Sequence, residues 1–341
     1  MKRIASIDVG SNTLRLLILE TDGAGNFREL DADRAITRLG EGMDSHKRLL
    51  DRRIDATLEA LARFRDKCRA FGDMPVHAVA TSAVREASNR EEFLRRVYDK
   101  TGITLDVIPW EEEARLTLDG VFWKIPDTGD VSLTFDIGGG STEFILSKGK
   151  KLLASAGTSL GIVRLTEKFI ARHPAATEEY RALEEFVRRE LQAVREKLAG
   201  PAAAPGRTGQ TRIALDNAHS PSGSSPLGPA ARWEPRLLIG TAGTVTTLAA
   251  LDKNIHPYDP LKVHGSVLTR RRIQEILDDL KAKTLEERLL LKPLERGRED
   301  VIVAGTCIVL ETMDAFGSET LTVSEYSLRE GILLKALARE G

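Results

Sequence analysis

Ile7-Asp8-Val9-Gly10-Ser11-Asn12-Thr13 and Phe135-Asp136-Ile137-Gly138-Gly139-Gly140-Ser141-Thr142 are two copies of one pattern. Each has an apolar strand end, an aspartate, a glycine turn with hydroxyl side chains, and then a second apolar run. A glycine turn between two strands lets backbone N–H groups approach an anion, because no Cβ blocks the way and positive φ costs little. An aspartate closing the first strand suits a metal-bound water or a hydrated divalent cation, since hard cations prefer carboxylate oxygen. The unit is strand–turn–strand, which separates it from the strand–turn–helix of a Walker loop. Two such hairpins predict two related lobes and point to phosphate chemistry.

At 341 residues the chain is longer than one hydrophobic core ordinarily fills, so two domains are expected. Hydrophobic residues at 41% and charged residues at 30% place it in the globular class. The net charge of −1 removes any bulk attraction to nucleic acid or membrane, so polyanion binding has to come from a local basic cleft. Cys68 and Cys307 stand far apart with no metal or redox spacing around them, and the expected compartment is a reducing cytosol. The opening run Met1 to Asp8 enters a strand without a long apolar leader, and no later stretch has the length and apolarity of a membrane span.

Ile4 to Ile7 and Leu14 to Leu19 read as paired strands, the second nearly continuous in apolar residues and therefore central to a sheet. A helix is expected from about Asp51, with Ile54, Leu58, Leu61, Cys68 and Phe71 on one stripe. Val76 to Ala80 and Leu105 to Ile108 read as strands, Asn89 as the cap of a helix opening at Arg90, and Trp110 as the start of a helix after Pro109. After Thr177 a long helix presents Tyr180, Leu183, Val187, Leu191, Val194 and Leu198 at helical spacing. From Gly200 to Pro235, eleven of 36 residues are Gly or Pro, a composition that buries little apolar surface and predicts a mobile surface insertion. Arg236 to Thr244 gives a third strand and glycine turn leading into a helix; Thr320 to Ser324 is the last strand, before a terminal helix.

Two strand–Asp–Gly hairpins plus a third glycine turn resemble the actin-like ATPase superfamily, which includes sugar kinases and acetate kinase. Within it, Ile7 to Thr13, Ala80-Thr81-Ser82-Ala83-Val84-Arg85, Glu112-Glu113-Ala114-Arg115-Leu116, Asp136 to Glu143 and Leu328-Arg329-Glu330-Gly331 together resemble the exopolyphosphatase/guanosine pentaphosphate phosphatase (Ppx/GppA) family. The ordered set covers nearly the whole chain, and Pro257 to Gly265 resembles a segment of the family's shorter members. Two departures from the family pattern are expected: the 200–235 insertion, and a short form without the C-terminal HD-type domain of longer members. The resemblance implies an α/β fold of two actin-like (ribonuclease H-like) lobes around a central phosphate-binding cleft. Lobe I would span 1–123, rejoined by 312–341, and lobe II 124–311.

The resemblance also distributes roles. Glu113 matches the carboxylate that orients and deprotonates the attacking water, whereas Glu111 and Glu112 read as surface charges. Asp136 and Glu143 flank the second turn and match carboxylates associated with Mg2+ (Mn2+ being the substitute); Asp8, their counterpart in the first repeat, either holds the metal or braces its loop. Gly138, Gly139, Gly140 and Ser141 from one side, with Ser11, Asn12 and Thr13 from the other, are the expected phosphate cradle. Arg15 and Arg85 are the expected guanidinium contacts, since bidentate guanidinium suits phosphate better than a point charge. Gly240 and Gly243 belong to the turn that holds adenosine in actin-like kinases and here lines the cleft. None of the histidines forms a metal-like cluster, and no histidine–acid pattern accompanies Ser141, so a covalent phosphoenzyme is not expected. The expected activity is release of terminal orthophosphate from inorganic polyphosphate, or of the 5′ γ-phosphate from guanosine pentaphosphate, by direct attack of water. The competing readings are an actin-like small-molecule kinase and a nucleotide-gated scaffold or chaperone. A homodimer is common in the family, though no interface stripe marks one here.

Overall fold

The computed structural model describes residues 1–23, 26–199 and 235–340; the 200–235 insertion expected from composition therefore falls outside the described residues, save for its last position. The chain opens with three antiparallel strands, β1 (Lys2–Val9), β2 (Thr13–Thr21) and β3 (Phe27–Ile36). Helices α1 (Met43–His46) and α2 (Asp51–Ala70) lead to β4 (Val76–Ala80), and α3 (Ser82–Glu86) and α4 (Arg90–Thr101) lead to β5 (Leu105–Val107). β4 lies parallel to β1 and β5 parallel to β4, which gives a sheet ordered β3-β2-β1-β4-β5.

β1 and β2 are almost wholly apolar because both faces of this sheet are covered. Alternation sends Ile7, Leu14, Leu16 and Ile18 toward Ile54, Leu58, Leu61 and Phe64 of α2 and Phe93 and Val97 of α4. It sends Ile4, Leu17 and Leu19 to the other face, against Leu333 and Ala336 of the C-terminal helix. Asn89 precedes α4 without capping it. Its amide instead accepts from Leu49 N (2.9 Å) and donates to Leu49 O (3.1 Å), since a buried backbone pair left without partners would cost more than an exposed helix end.

The second half begins with α5 (Trp110–Val121), followed by β6 (Val131–Ile137), β7 (Thr142–Lys148), β8 (Lys151–Thr158), α6 (Ile162–Phe169) and α7 (Thr177–Ala199). After the insertion come β9 (Leu237–Thr241), α8 (Ala242–Asp252), α9 (Pro260–Val263), β10 (Val267–Thr269) and α10 (Arg270–Ala282). Then α11 (Leu285–Leu289), α12 (Ile302–Ala315), β11 (Thr320–Val323) and α13 (Leu328–Glu340) complete the described chain. The sheet order is β10-β11-β9-β6-β7-β8. One face packs Phe135, Phe144 and Leu238 against Leu183, Val187 and Leu191 of α7 and Val303 and Cys307 of α12. The other face packs Ile145 and Ile239 against Ala114, Leu118 and Val121 of α5. The α/β class with two sheets, as expected from sequence, is the architecture found.

One boundary expected from sequence changes. Residues 312–341 do not return to lobe I as a block: β11 pairs with β9 (Thr322↔Ile239) and β10, and α12 lies in the second core. The reason is burial of Leu321 and Val323 in that core, so only α13 returns to the first sheet.

α5 and α13 cross between the two sheets at backbone contact. A Cβ on Gly331 would stand 1.8 Å from Leu116 O, and one on Gly120 would stand 1.8 Å from Ser327 O, so both positions require glycine. Ion pairs also link the halves: Arg38 donates to both Asp300 oxygens at 2.7 Å, Arg34 pairs with Glu295 at 2.8 Å, and Arg164 pairs with Glu86 at 2.9 Å. Among the described residues no helix is long and apolar enough to cross a membrane. Cys68 and Cys307 are buried, and burial raises their thiols to about 11 and about 12, which removes thiolate reactivity at neutral pH.

Arg288, fully buried, organises the segment beneath α10. It donates to Leu280 O (2.8 Å), to Glu299 O (2.8 Å), and to His173 Nδ1 at 3.0 Å. Burial, and then the Arg288 charge, lower the His173 pKa from its ordinary 6.5. The unfolded chain therefore binds this proton more readily than the folded one, so the stability contributed by neutral His173 is present above pH 6.5 and lost as pH falls below it. His173→Asn, which keeps an acceptor without titrating, is expected to reduce the loss of Tm below that pH in calorimetric scans. An unchanged acid limb would rule out the His173 contribution.

Candidate active site

The two repeated hairpins have the same internal bond: Gly10 N donates to Thr13 O (3.2 Å), and Gly138 N donates to Ser141 O (2.9 Å). Their tips touch, because a Cβ on Gly139 would come within 2.8 Å of Asn12 N and one on Gly140 within 3.0 Å of Ser11 Oγ. None of Gly10, Gly138, Gly139 and Gly140 has positive φ. Glycine is thus required there for close approach, and the backbone freedom expected from sequence is not used.

The loop carbonyls are engaged by their own lobes. Ser11 O accepts from Gly40 N (2.7 Å), Asn12 O from Thr37 N and Arg38 N (3.1 Å each), Gly138 O from Ile162 N (3.1 Å), and Gly139 O from Val163 N (2.9 Å). The loops are left to offer N–H groups and hydroxyls to an anion, the polarity a phosphate requires. Ser11, Asn12, Thr13, Gly138, Gly139 and Ser141 all line a cavity of about 70 Å3 between the hairpins. Gly140 does not line it and serves the packing of the two tips against Ser11 and Ser82.

Strand register then sets the charges. Asp8 faces Arg15 across β1 and β2, and Asp136 faces Glu143 across β6 and β7. The two repeats therefore share the aspartate and differ in its partner, a cation on one lobe and an anion on the other. Asp8, Arg15, Asp136 and Glu143 all line the cavity. Burial raises Asp8 to about 7 and Asp136 to about 6, with Arg15 opposing the rise in both. Burial and the neighbouring Glu113 and Asp136 charges hold Glu143 well above the carboxylate range, while Ser141 Oγ donates to it at 2.9 Å.

Glu113 sits in the first turn of α5, 6% exposed, with its carboxylate at the cavity wall. Burial raises it to about 7, opposed chiefly by Arg85. Arg85 itself does not line the cavity, contrary to its expected phosphate contact. Its Nη1 donates to Glu113 Oε2 (2.8 Å) and Ile108 O (2.8 Å), and its guanidinium lies 4.1 Å from the centre of the Trp110 ring. Arg85 is a positioning residue for Glu113. Glu112 is tied to Lys335 of α13, so it bridges two helices and is not a free surface charge.

The third turn contributes Ala242 and Gly243 at the start of α8, where Ala242 has φ of 66°, a strained value for a residue with a side chain. Gly240 does not reach the cavity; a Cβ there would strike Val245 and Phe135, so its role is packing within β9. Arg298, absent from the expected set, lines the cavity. It is 3% exposed, donates through Nε to Glu295 (3.0 Å), and lies so close over Gly243 that a Cβ there would be 2.0 Å from Nη2. In sequence it is one of several charges in Glu295-Arg296-Gly297-Arg298-Glu299-Asp300, with nothing to distinguish it from Arg296.

The sequence pattern of the Ppx/GppA phosphatase family matches residues 17–219 and 231–340. The chain belongs to the Ppx/GppA phosphatase family. Exopolyphosphatase 2 of Mycobacterium tuberculosis is 31% identical and is covered, like this chain, over 98% of its length. The bifunctional 3-dehydroquinate synthase/phosphatase of Fusobacterium nucleatum is also 31% identical, over 98% of this chain and 46% of that one. Among solved structures, the Aquifex aeolicus Ppx/GppA family member superimposes with a TM-score of 0.75 at 34% identity, covering 100% of this chain and 99% of that one. An exopolyphosphatase from Cytophaga hutchinsonii gives 0.84 at 26% identity, covering 99% and 98%.

Metal chemistry in this Ppx/GppA cleft has to be judged from its donors. Among the described residues no group of three or more His, Cys, Asp or Glu is gathered to hold an ion, so the set Asp136, Glu143 and Asp8 is not a preformed shell. Asp8 and Asp136 have no hydrogen-bond donor among the described residues, and Asn12 Oδ1 is buried without a partner. Donor-free carboxylates with an orphaned acceptor suit a hydrated Mg2+, which keeps several waters and takes one or two carboxylates besides phosphate oxygens.

Proposed function

We propose that the protein hydrolyses phosphoanhydride bonds, releasing terminal orthophosphate from inorganic polyphosphate, and that the same chemistry extends to the 5′ γ-phosphate of guanosine pentaphosphate. One observation carries the reading: a buried, Arg85-held glutamate shares a small cavity with two opposed glycine hairpins and with Arg15 and Arg298. The family's exopolyphosphatases, similar over the whole chain, support the choice of substrate.

The terminal phosphoryl group lies between the hairpin tips, its oxygens on backbone N–H groups and on Ser11 and Thr13. Arg15 and Arg298 neutralise the charge that spreads over those oxygens and over the leaving chain. Glu113 orients a water in line and accepts its proton as the new O–P bond forms and the bridging P–O bond breaks. The products are orthophosphate and a chain one unit shorter. A carboxylate near 7 is suited to this task, ionised enough at neutral pH yet basic enough to take the proton. Mg2+ bound at Asp8 and Asp136 would supply further charge neutralisation at the phosphate oxygens. Ser141 Oγ is engaged with Glu143 and, among the described residues, has no histidine–acid pair, which fits attack by water and not by the enzyme.

Orthophosphate release is expected from polyphosphate and guanosine pentaphosphate with Mg2+ and to stop on chelation, with no alcohol or carboxylate acceptor required. Release that appears only when an acceptor is added would transfer the site to the kinases. Inertness toward every linear polyphosphate would overturn the reading.

A further inference from the structure

A second cavity, of about 360 Å3, opens beside the first, lined by Arg34, Thr246, His256, Tyr258, Lys292 and Arg296 among others. The two are neighbours through a short chain of contacts. Arg15 of the first cavity is the cross-strand partner of Arg34. Arg34 pairs with Glu295 at 2.8 Å, and the other oxygen of Glu295 accepts from Arg298 of the first cavity at 3.0 Å. Thr246 Oγ1 donates back to Ala242 O, again in the first cavity, at 3.2 Å. The charges of Arg15 and Arg34 both help to depress the Arg298 pKa below its ordinary value, after burial and against Glu295. Such mutual repulsion among arginines is relieved by an anion. Farther out, Lys292 and Arg296 are exposed and have no acidic partner among the described residues.

We propose that this cavity is a distal subsite that holds internal phosphates of a polyphosphate chain whose terminal unit lies in the catalytic cleft. The inference rests on the hydrolytic reading above and adds the direction in which the chain leaves. Acidic groups, Asp8, Glu113, Asp136 and Glu143, crowd the first cavity, while its Arg15 and Arg298 lead to Arg34 and then to Lys292 and Arg296. A linear polyanion too long for the cleft follows the cations. Of the two aromatic rings in the cavity, His256 and Tyr258, the larger already has the Arg34 guanidinium over it at 5.1 Å and its hydroxyl on Glu325, so Tyr258 is not open for a nucleoside base to stack on.

The test is a chain-length comparison. Lys292→Glu with Arg296→Glu is expected to raise the ratio of KM for long-chain polyphosphate to KM for tripolyphosphate about tenfold. The milder Lys292→Gln with Arg296→Gln should raise it about threefold and lower the salt dependence of long-chain KM by roughly one to two powers of salt concentration, one for each phosphate that is no longer neutralised. Both residues are exposed, so the fold should persist; a merely structural role would move both KM values together and leave the ratio alone. An unchanged ratio overturns the subsite, as does a variant whose only defect is toward guanosine pentaphosphate. Titration of labelled long-chain polyphosphate separates the two readings. Variant-sensitive binding without phosphate release would overturn the hydrolytic reading and keep the subsite, whereas release from wild type with variant-insensitive binding does the reverse.

Discussion

Glu113→Gln is expected to lower kcat for orthophosphate release by about 100- to 10,000-fold with little change in KM. The amide is close in shape to the carboxylate and can still accept from Arg85 Nη1, so the 2.8 Å contact and the cavity wall survive. What disappears is the acceptor proposed for the proton of the attacking water. Wild-type kcat/KM should fall as pH drops below about 7, the value to which burial raises Glu113, because only the ionised form accepts the proton; the glutamine variant should lose the Glu113 share of that limb and keep the part set by Asp8 and Asp136, raised to about 7 and about 6. Steady-state rates across pH check both statements. A variant that keeps wild-type turnover would remove Glu113 from the reaction.

Gly331→Ala is expected to damage both stability and turnover. Its Cβ would stand 1.8 Å from Leu116 O and 2.5 Å from the attached carbon, backbone atoms that no rotamer change can move. Separating α13 from α5 loosens the apolar contacts of Leu328 and Ile332 with Leu116, and overpacking of this kind costs about 3 kcal/mol, or roughly 4 °C in Tm for a chain this long. The same helices supply Glu113 at one end and Leu328 at the other to the cavity wall. A shift of about 1 Å in a catalytic group is enough to cost about 100-fold in rate. Calorimetry and orthophosphate release on one preparation would show the two losses together; an unchanged Tm would contradict the backbone contact.

Much of the site was legible because it is local. Asp8, the first turn and Arg15 occupy eight consecutive positions, and Asp136, the second turn and Glu143 repeat that spacing, so their mutual placement follows from strand alternation and a tight turn. Glu113 was legible through the motif around it, whereas its partner was misplaced: Arg85 follows a strand end in sequence, and only folding directs it onto Glu113 and Trp110. Gly240 and Gly140 look like cradle glycines in sequence but serve packing. Arg298 had no signal at all, since one arginine in a charged run is indistinguishable from its neighbours until burial separates Arg298, 3% exposed, from the exposed Arg296.

The amino-acid order alone therefore determined the two hairpins, the α/β class and the acid in the first turn of α5, all consequences of short-range periodicity and backbone sterics. The tertiary structure decided which cations reach the cleft, that β11 joins the second sheet, and that α5 and α13 meet at backbone contact. Those outcomes depend on burial and on contacts between residues distant in sequence, such as Gly331 with Leu116 and Arg298 with Gly243, and no local pattern encodes them.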